Sequence, residues 1–254
     1  MIALPAYSLA QYTLITVAFL VGGVVKGAVG FALPLVLLAI MTLGLPVGEI
    51  LGIIVIPMFL ANVWLALEGR QWRWAVGQFW PEMLLLGTGV VVGANLLVTL
   101  DQAMVYLLLG GAVMVFATLS IVAPNVRLDS RHRHRVGVPV GLLAGFLGGL
   151  TAVFGPPLAL YLVALDLGKA RYIAAMGAIW LTGSSFQVLA FSSVRLVTPS
   201  SALVALVALL PLYAGLRLGR VVRNRVDERV FRRIVAVALL ISGLNLLWRG
   251  LGGQ

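Results

Sequence analysis

The stretch Gly145-Phe146-Leu147-Gly148-Gly149-Leu150-Thr151-Ala152-Val153-Phe154-Gly155-Pro156-Pro157 interrupts an apolar run that extends from Gly137 to Gly168. One crossing of a bilayer takes about 20 apolar residues, and two crossings take about twice as many plus a turn. A run of intermediate length with Gly and Pro at its centre therefore reads as a re-entrant hairpin, which enters and leaves on one side. The pattern occurs once before. Gln11 to Gly44 is an apolar run of similar length, broken at Lys26-Gly27-Ala28-Val29-Gly30-Phe31-Ala32-Leu33-Pro34.

Composition leaves no room for a water-soluble particle. Of the 254 residues 61% are hydrophobic and 10% charged, and mean hydropathy is +1.09, which describes an integral membrane protein. The net charge of +10 does not point to nucleic acid. Most Lys and Arg lie beyond residue 69 in short links between apolar runs, where orientation signals sit. The absence of cysteine excludes disulfides and thiolate chemistry. No basic residue precedes Lys26, so the N-terminus lacks the charged region of a cleavable signal peptide and is expected to be mature protein.

Three ordinary spans follow the first break, at about 47–67, 79–99 and 103–123. A polar link at 125–135 follows, and then the order repeats, with spans at about 172–191, 201–219 and 230–248. The halves align residue by residue. A shift of 123 superposes Gly22 on Gly145, Phe31 on Phe154 and Pro34 on Pro157, and a shift of 126 superposes Gly89 on Gly215 and Gly93 on Gly219. The expected fold is an all-α integral membrane protein of two inverted repeats, each a broken re-entrant helical hairpin followed by three transmembrane helices. Repeat 1 is residues 1–124 (hairpin 11–44), the cytoplasmic linker 125–136, and repeat 2 residues 137–254 (hairpin 137–168).

Charge sets the orientation. The links around Arg70 and Arg73, around Arg127, Arg131, Arg133 and Arg135, and the run of seven arginines from Arg217 to Arg233 all belong inside by the positive-inside rule. Only a re-entrant reading of 137–168 puts the last two on one side. The halves then face opposite ways about an axis in the membrane plane.

Each hairpin restarts a helix near mid-membrane, at about Pro34 and about Pro157, and proline suits a first helical turn. Such a start leaves unpaired N–H groups and the positive end of the helix dipole, which together suit a small oxyanion. The expected site is built from Lys26, Gly27, Gly30, Phe31 and Pro34 of the first break and Thr151, Phe154, Gly155 and Pro157 of the second, with Asn62, Ser184, Ser185 and Gln187 as neutral donors level with the breaks. Lys26, whose repeat partner on this alignment is Gly149, either meets the anion or snorkels to the surface. The neutral donors serve either the anion or interhelical bonding. Glu49, Glu82 and Asp166 sit at span ends, so no proton or sodium relay is read. Trp72, Trp74 and Trp80 are interfacial anchors, and the Arg217–Arg233 collar is an orientation signal that can also hold anionic lipid heads. His132 and His134 stand among arginines, which disfavours a cation, so no metal and no cofactor are expected.

On the motifs from Gly22 to Pro34 and from Gly145 to Pro157, and on the four-plus-four order of apolar segments along the whole chain, the sequence resembles the sulfite exporter TauE/SafE family of membrane permeases. The resemblance implies export or uptake of sulfite, sulfonate or a related sulfur-containing oxyanion; with the helix breaks it gives the expectation of a secondary transporter in the cell inner (plasma) membrane, its anion bound between the two breaks and exposed alternately to either side. The chain departs from a glycine-rich form at Ala32 and Leu33. Two other readings stay open: an intramembrane enzyme acting on an anionic lipid, for which neither break holds the paired carboxylates or Ser/His/Arg set, and an anion channel. A homodimer is an open option.

Overall fold

The computed structural model describes residues 7–29, 33–68, 71–122, 127–223, 237, 240–241 and 243–252. Among them there is no strand. The helices are α1 (Leu9–Val29), α2 (Leu33–Met41), α3 (Val47–Glu68), α4 (Trp72–Leu97), α5 (Gln102–Val122), a 3-10 turn Ser130–His132, α6 (Arg133–Thr151), α7 (Gly155–Ala164), α8 (Lys169–Ser193), α9 (Pro199–Val207) and α10 (Leu209–Arg223). Residues 243–250 are helical as well. Five stretches are long and apolar enough to cross a membrane: Leu9–Gly27, Val47–Leu67, Trp72–Leu97, Lys169–Ser193 and Pro199–Gly219.

The helices fall into two compact units, Met1–Pro57 with Asp101–Ala123 and Arg195–Gln254, and Met58–Leu100 with Pro124–Val194. In the first unit α1 opens with a capping box, in which Ser8 N–H donates to Gln11 Oε1 (2.9 Å) and Gln11 N–H donates to Ser8 Oγ (3.2 Å). The same Gln11 side chain donates through Nε2 to Gly44 O (3.1 Å). The start of α1 and the residues after α2 are thus side by side, and 11–44 closes as a helical hairpin. The apolar face of α2 is buried at Leu33, Leu35, Leu37, Leu38 and Met41. Arg249 closes this unit, donating through Nη1 to Thr42 O (2.6 Å).

The second unit repeats the device. Leu128 N–H donates to Ala164 O (2.7 Å), so the entrance to α6 lies against the end of α7, and the chain turns back between them at 152–154. Its core joins α4, α6, α7 and α8 through Phe79, Leu86, Ala144, Phe154, Leu158, Tyr161, Leu162, Ile179 and Trp180. Trp74, Phe79 and Tyr161 meet edge to face at 6.0 and 6.4 Å.

Glycine pairs four residues apart set the closest helix contacts. Residues at that spacing share a helix face, and without side chains they let backbones touch. In the first unit Gly23 and Gly27 of α1 lie against Gly215 and Gly219 of α10, where an added Cβ would sit 3.0 and 3.1 Å from the facing Cα atoms. In the second, Gly89 and Gly93 of α4 lie against Gly145 and Gly149 of α6, with 3.0 Å to the carbonyl carbon of Gly145 and 3.1 Å to the Cα of Gly149. Residue numbers rise together in both pairs, so each pair of helices runs parallel. Gly27 thus occupies in its pair the place that Gly149 occupies in the other.

Several boundaries differ from the sequence reading. α4 starts at Trp72 rather than Phe79, and α6 at Arg133, inside the charged link. The expected span 201–219 divides at Ala208 because Pro211 has no N–H to give the Val207 carbonyl. Of the span expected at 230–248, 230–236, 238–239 and 242 lie outside the described residues. Outward-facing positions are apolar, with Trp64, Leu67, Leu143, Val163 and Leu189 all more than half exposed. Such a surface fits lipid and not water.

Candidate functional site

α6 ends because Ala152 turns left-handed, with φ 58° and its N–H on Gly148 O (2.8 Å). A non-glycine residue there carries strain of roughly 1–2 kcal/mol, and Ala152 is fully buried. Thr151 braces the turn. Its Oγ1 donates to Leu147 O (2.6 Å) and accepts from Val153 N–H (3.1 Å). α7 then begins at Gly155, with Phe154 as its first flanking residue and Pro156 and Pro157 inside the first turn. The two prolines remove two amide hydrogens, so this helix start offers fewer donors than an ordinary one. The N–H groups of Phe154 and Gly155 are the ones that remain at this helix start.

Aromatic rings wall this start. Phe154 is 1% exposed and meets Trp180 edge to face at 5.9 Å. A Cβ on Gly155 would lie 3.2 Å from Cζ2 and 3.4 Å from Nε1 of Trp180. The indole N–H thus comes close to the break, a donor that the sequence reading missed. Only its spacing of four residues from Ser184 could have marked it.

The neutral donors gather at the same level of α8. Ser184 Oγ donates to Trp180 O (2.8 Å), and Asn62 Nδ2 of α3 donates to the same carbonyl (3.4 Å). Ser185 Oγ donates to Leu181 O (2.8 Å). Gln187 Nε2 donates to Gly148 O (2.8 Å), tying α8 to the last turn of α6, while its buried Oε1 has no partner among the described residues. The second unit therefore brings Asn62, Thr151, Phe154, Gly155, Ser184 and Gln187 together, with Pro157 and Ser185 half-buried beside them.

The first break is placed in part. Lys26 stands half-buried in the last turn of α1. It shares a face with Gly22, which backs onto Leu33 and Leu37 of α2. Gly27 lies on the α10 face, and Pro34 occupies the first turn of α2. Gly30 and Phe31 lie outside the described residues, as does most of the expected collar: residues 224–233 and the side chains of Arg220 and Arg223. Of the aromatic anchors, Trp72 and Trp80 are exposed, and Trp74 is half-buried beneath Arg171, whose guanidinium stands 5.3 Å from its ring centroid.

No curated protein and no solved structure matches this chain. The family model described as Sulfite exporter TauE/SafE matches residues 14–246, nearly the whole sequence, and takes in both hairpins and the helices packed on them. The chain belongs to the sulfite exporter TauE/SafE family of membrane transporters.

Proposed function

We propose that the protein is a secondary transporter of a small sulfur-containing oxyanion, sulfite or a sulfonate, working by alternating access in the inner (plasma) membrane. The observation that carries this reading is the α7 start: a helix N-terminus inside an apolar hairpin, lined by Phe154, Gly155 and Trp180, with Thr151, Ser184 and Gln187 close by. A helix start of this kind holds an anion by dipole and amide hydrogens, neutral donors that also allow its release. The recurrence of the hairpin and of its glycine-paired helix partner in both units supports two repeats. Their inverted orientation rests on the distribution of arginine. Lys26 is assigned the role of the charge that draws the anion in.

Purified protein in liposomes tests this reading. Saturable sulfite flux stimulated by a counter-anion is expected. Conductance that does not saturate would instead make the protein a channel, and phosphate released from an anionic lipid would make it an enzyme. Retention of anionic lipid through purification tests the Arg217–Arg233 collar, and mass measurement in detergent tests the homodimer.

A further inference from the structure

The sequence reading placed Glu82 at a span end. It is instead the eleventh residue of α4 and has no exposed surface. Its Oε1 accepts from the Tyr161 hydroxyl of α7 (3.0 Å) and faces His134 Nδ1 of α6 at 3.0 Å. Its Oε2, equally buried, has no partner among the described residues. Gly137 of α6 makes the room, since a Cβ there would lie 2.6 Å from Glu82 Oε1 and would collide with the Tyr161 hydroxyl. Gly141 does the same one turn on, against the Glu82 backbone.

We propose that Glu82, His134 and Tyr161 form a proton-binding site, with His134 as the route between the buried carboxyl and the aqueous surface. The hydrogen bonds fix the starting state. Arg133 Nε–H donates to His134 Nε2 (3.1 Å), so Nε2 is the acceptor and Nδ1 carries the hydrogen that points at Glu82. The imidazole is neutral in this arrangement, and its side chain is 44% exposed, whereas that of Glu82 is 0% exposed. When Arg133 releases Nε2, a proton from water binds there. The Nδ1 hydrogen then passes to Glu82, leaving a neutral carboxyl and a neutral imidazole, so one proton has been bound in all.

Tyr161 serves both states. Its single hydroxyl hydrogen has two acceptors in reach, Glu82 Oε1 at 3.0 Å and the Arg133 carbonyl at 3.1 Å. It donates to the carboxylate when Glu82 is ionised. When Glu82 is protonated the hydroxyl turns to Arg133 O and accepts the carboxyl hydrogen, so the Tyr161 hydroxyl keeps an acceptor in both states. Among the described residues, charged or titratable groups packed near this cluster include the Arg133 guanidinium on the imidazole and, from α8, Arg171 over Trp74 and Tyr172 against the same core. An ionisable group buried between helices of a membrane protein, and held by no fixed cation, is the kind used for proton exchange.

An infrared pH titration of the purified full chain reads the carbonyl stretch of a protonated buried carboxyl and needs no substrate. The expected result is a band that grows in the wild type as pH falls and is lost in Glu82→Gln. A wild type without the band, or a Glu82→Gln protein that keeps it unchanged, overturns the proposal. Should Glu82→Gln not fold, Tyr161→Phe and His134→Asn take its place: a displaced midpoint in either supports the site, and an unchanged band in both overturns it. Coupling of this proton to anion movement rests on the transporter reading and is measured separately. Vesicles with a pH gradient are expected to accumulate sulfite, or methanesulfonate whose charge does not vary with pH, and to lose that accumulation in Glu82→Gln. Wild-type vesicles that exchange anion at equal pH yet ignore the gradient overturn the coupling alone. Vesicles that exchange no anion overturn the transporter reading, and the infrared result is judged by itself.

Discussion

Gly93 and Gly149 back onto each other so closely that a methyl group on Gly93 would lie 3.1 Å from the Cα of Gly149. Backbone faces backbone here, so no flexible side chain can yield. Gly93→Leu is expected to cost at least the roughly 1–3 kcal/mol of an overpacked core, while Gly111→Leu, where nothing stands within 4 Å of an added Cβ, costs under about 0.5 kcal/mol. Thermal unfolding in detergent compares the two, and equal melting points would refute the contact.

Phe154 plugs the second break between Gly148, Gly183 and Trp180. Phe154→Ala removes a fully buried ring and is expected to destabilise the protein by about 3–5 kcal/mol. Phe154→Leu should cost less than half of that. The same melts give the answer.

The Gln187 side chain distinguishes a polar brace from an anion donor. Gln187→Met keeps the volume and loses the bond to Gly148 O, with an expected cost of about 1 kcal/mol. Gln187→Glu adds negative charge beside the α7 start and should abolish sulfite-dependent stabilisation, if the anion binds there. Sulfite flux equal to wild type in Gln187→Glu would move the site elsewhere.

Lys26→Ala is expected to remove most of the rise in melting temperature produced by saturating sulfite. At a hundred times the dissociation constant that rise corresponds to about 2.7 kcal/mol. A Lys26→Ala protein that responds to sulfite as fully as the wild type would leave the lysine a surface group. Sulfate, thiosulfate and organic sulfonates in the same assay rank the substrates.

The divisions between α1 and α2 and between α6 and α7 were legible because apolar length and the position of Gly and Pro are local properties. The limits drawn for the first hairpin, Gln11 and Gly44, are the two residues that share a hydrogen bond. The restart of the helix at Gly155 came within two residues of the expected Pro157. The late starts read for α4 and α6 have a common cause: charged and aromatic residues at helix ends look like links. Trp72 to Trp74 and Arg133 to Arg135 are helical all the same, since a membrane helix extends beyond the apolar layer. Starting α4 seven residues late put Glu82 near an end and hid its burial. The partners His134 and Tyr161 lie 52 and 79 residues away in the chain, and no periodicity encodes a contact of that kind. The pairing of α1 with α10 was illegible for the same reason, although both glycine pairs were visible.

That pairing bears on how the protein is made. The glycine face of α1 is covered by α10, which the ribosome delivers only after most of the chain has been synthesised. Until then the first hairpin must wait in the translocon or in lipid with its groove empty, whereas the α4–α6 contact can close much earlier. Truncated or stalled chains that end before Leu209 would therefore present an open seam to quality-control proteases, and the arrival of α10 would decide whether the first segment survives.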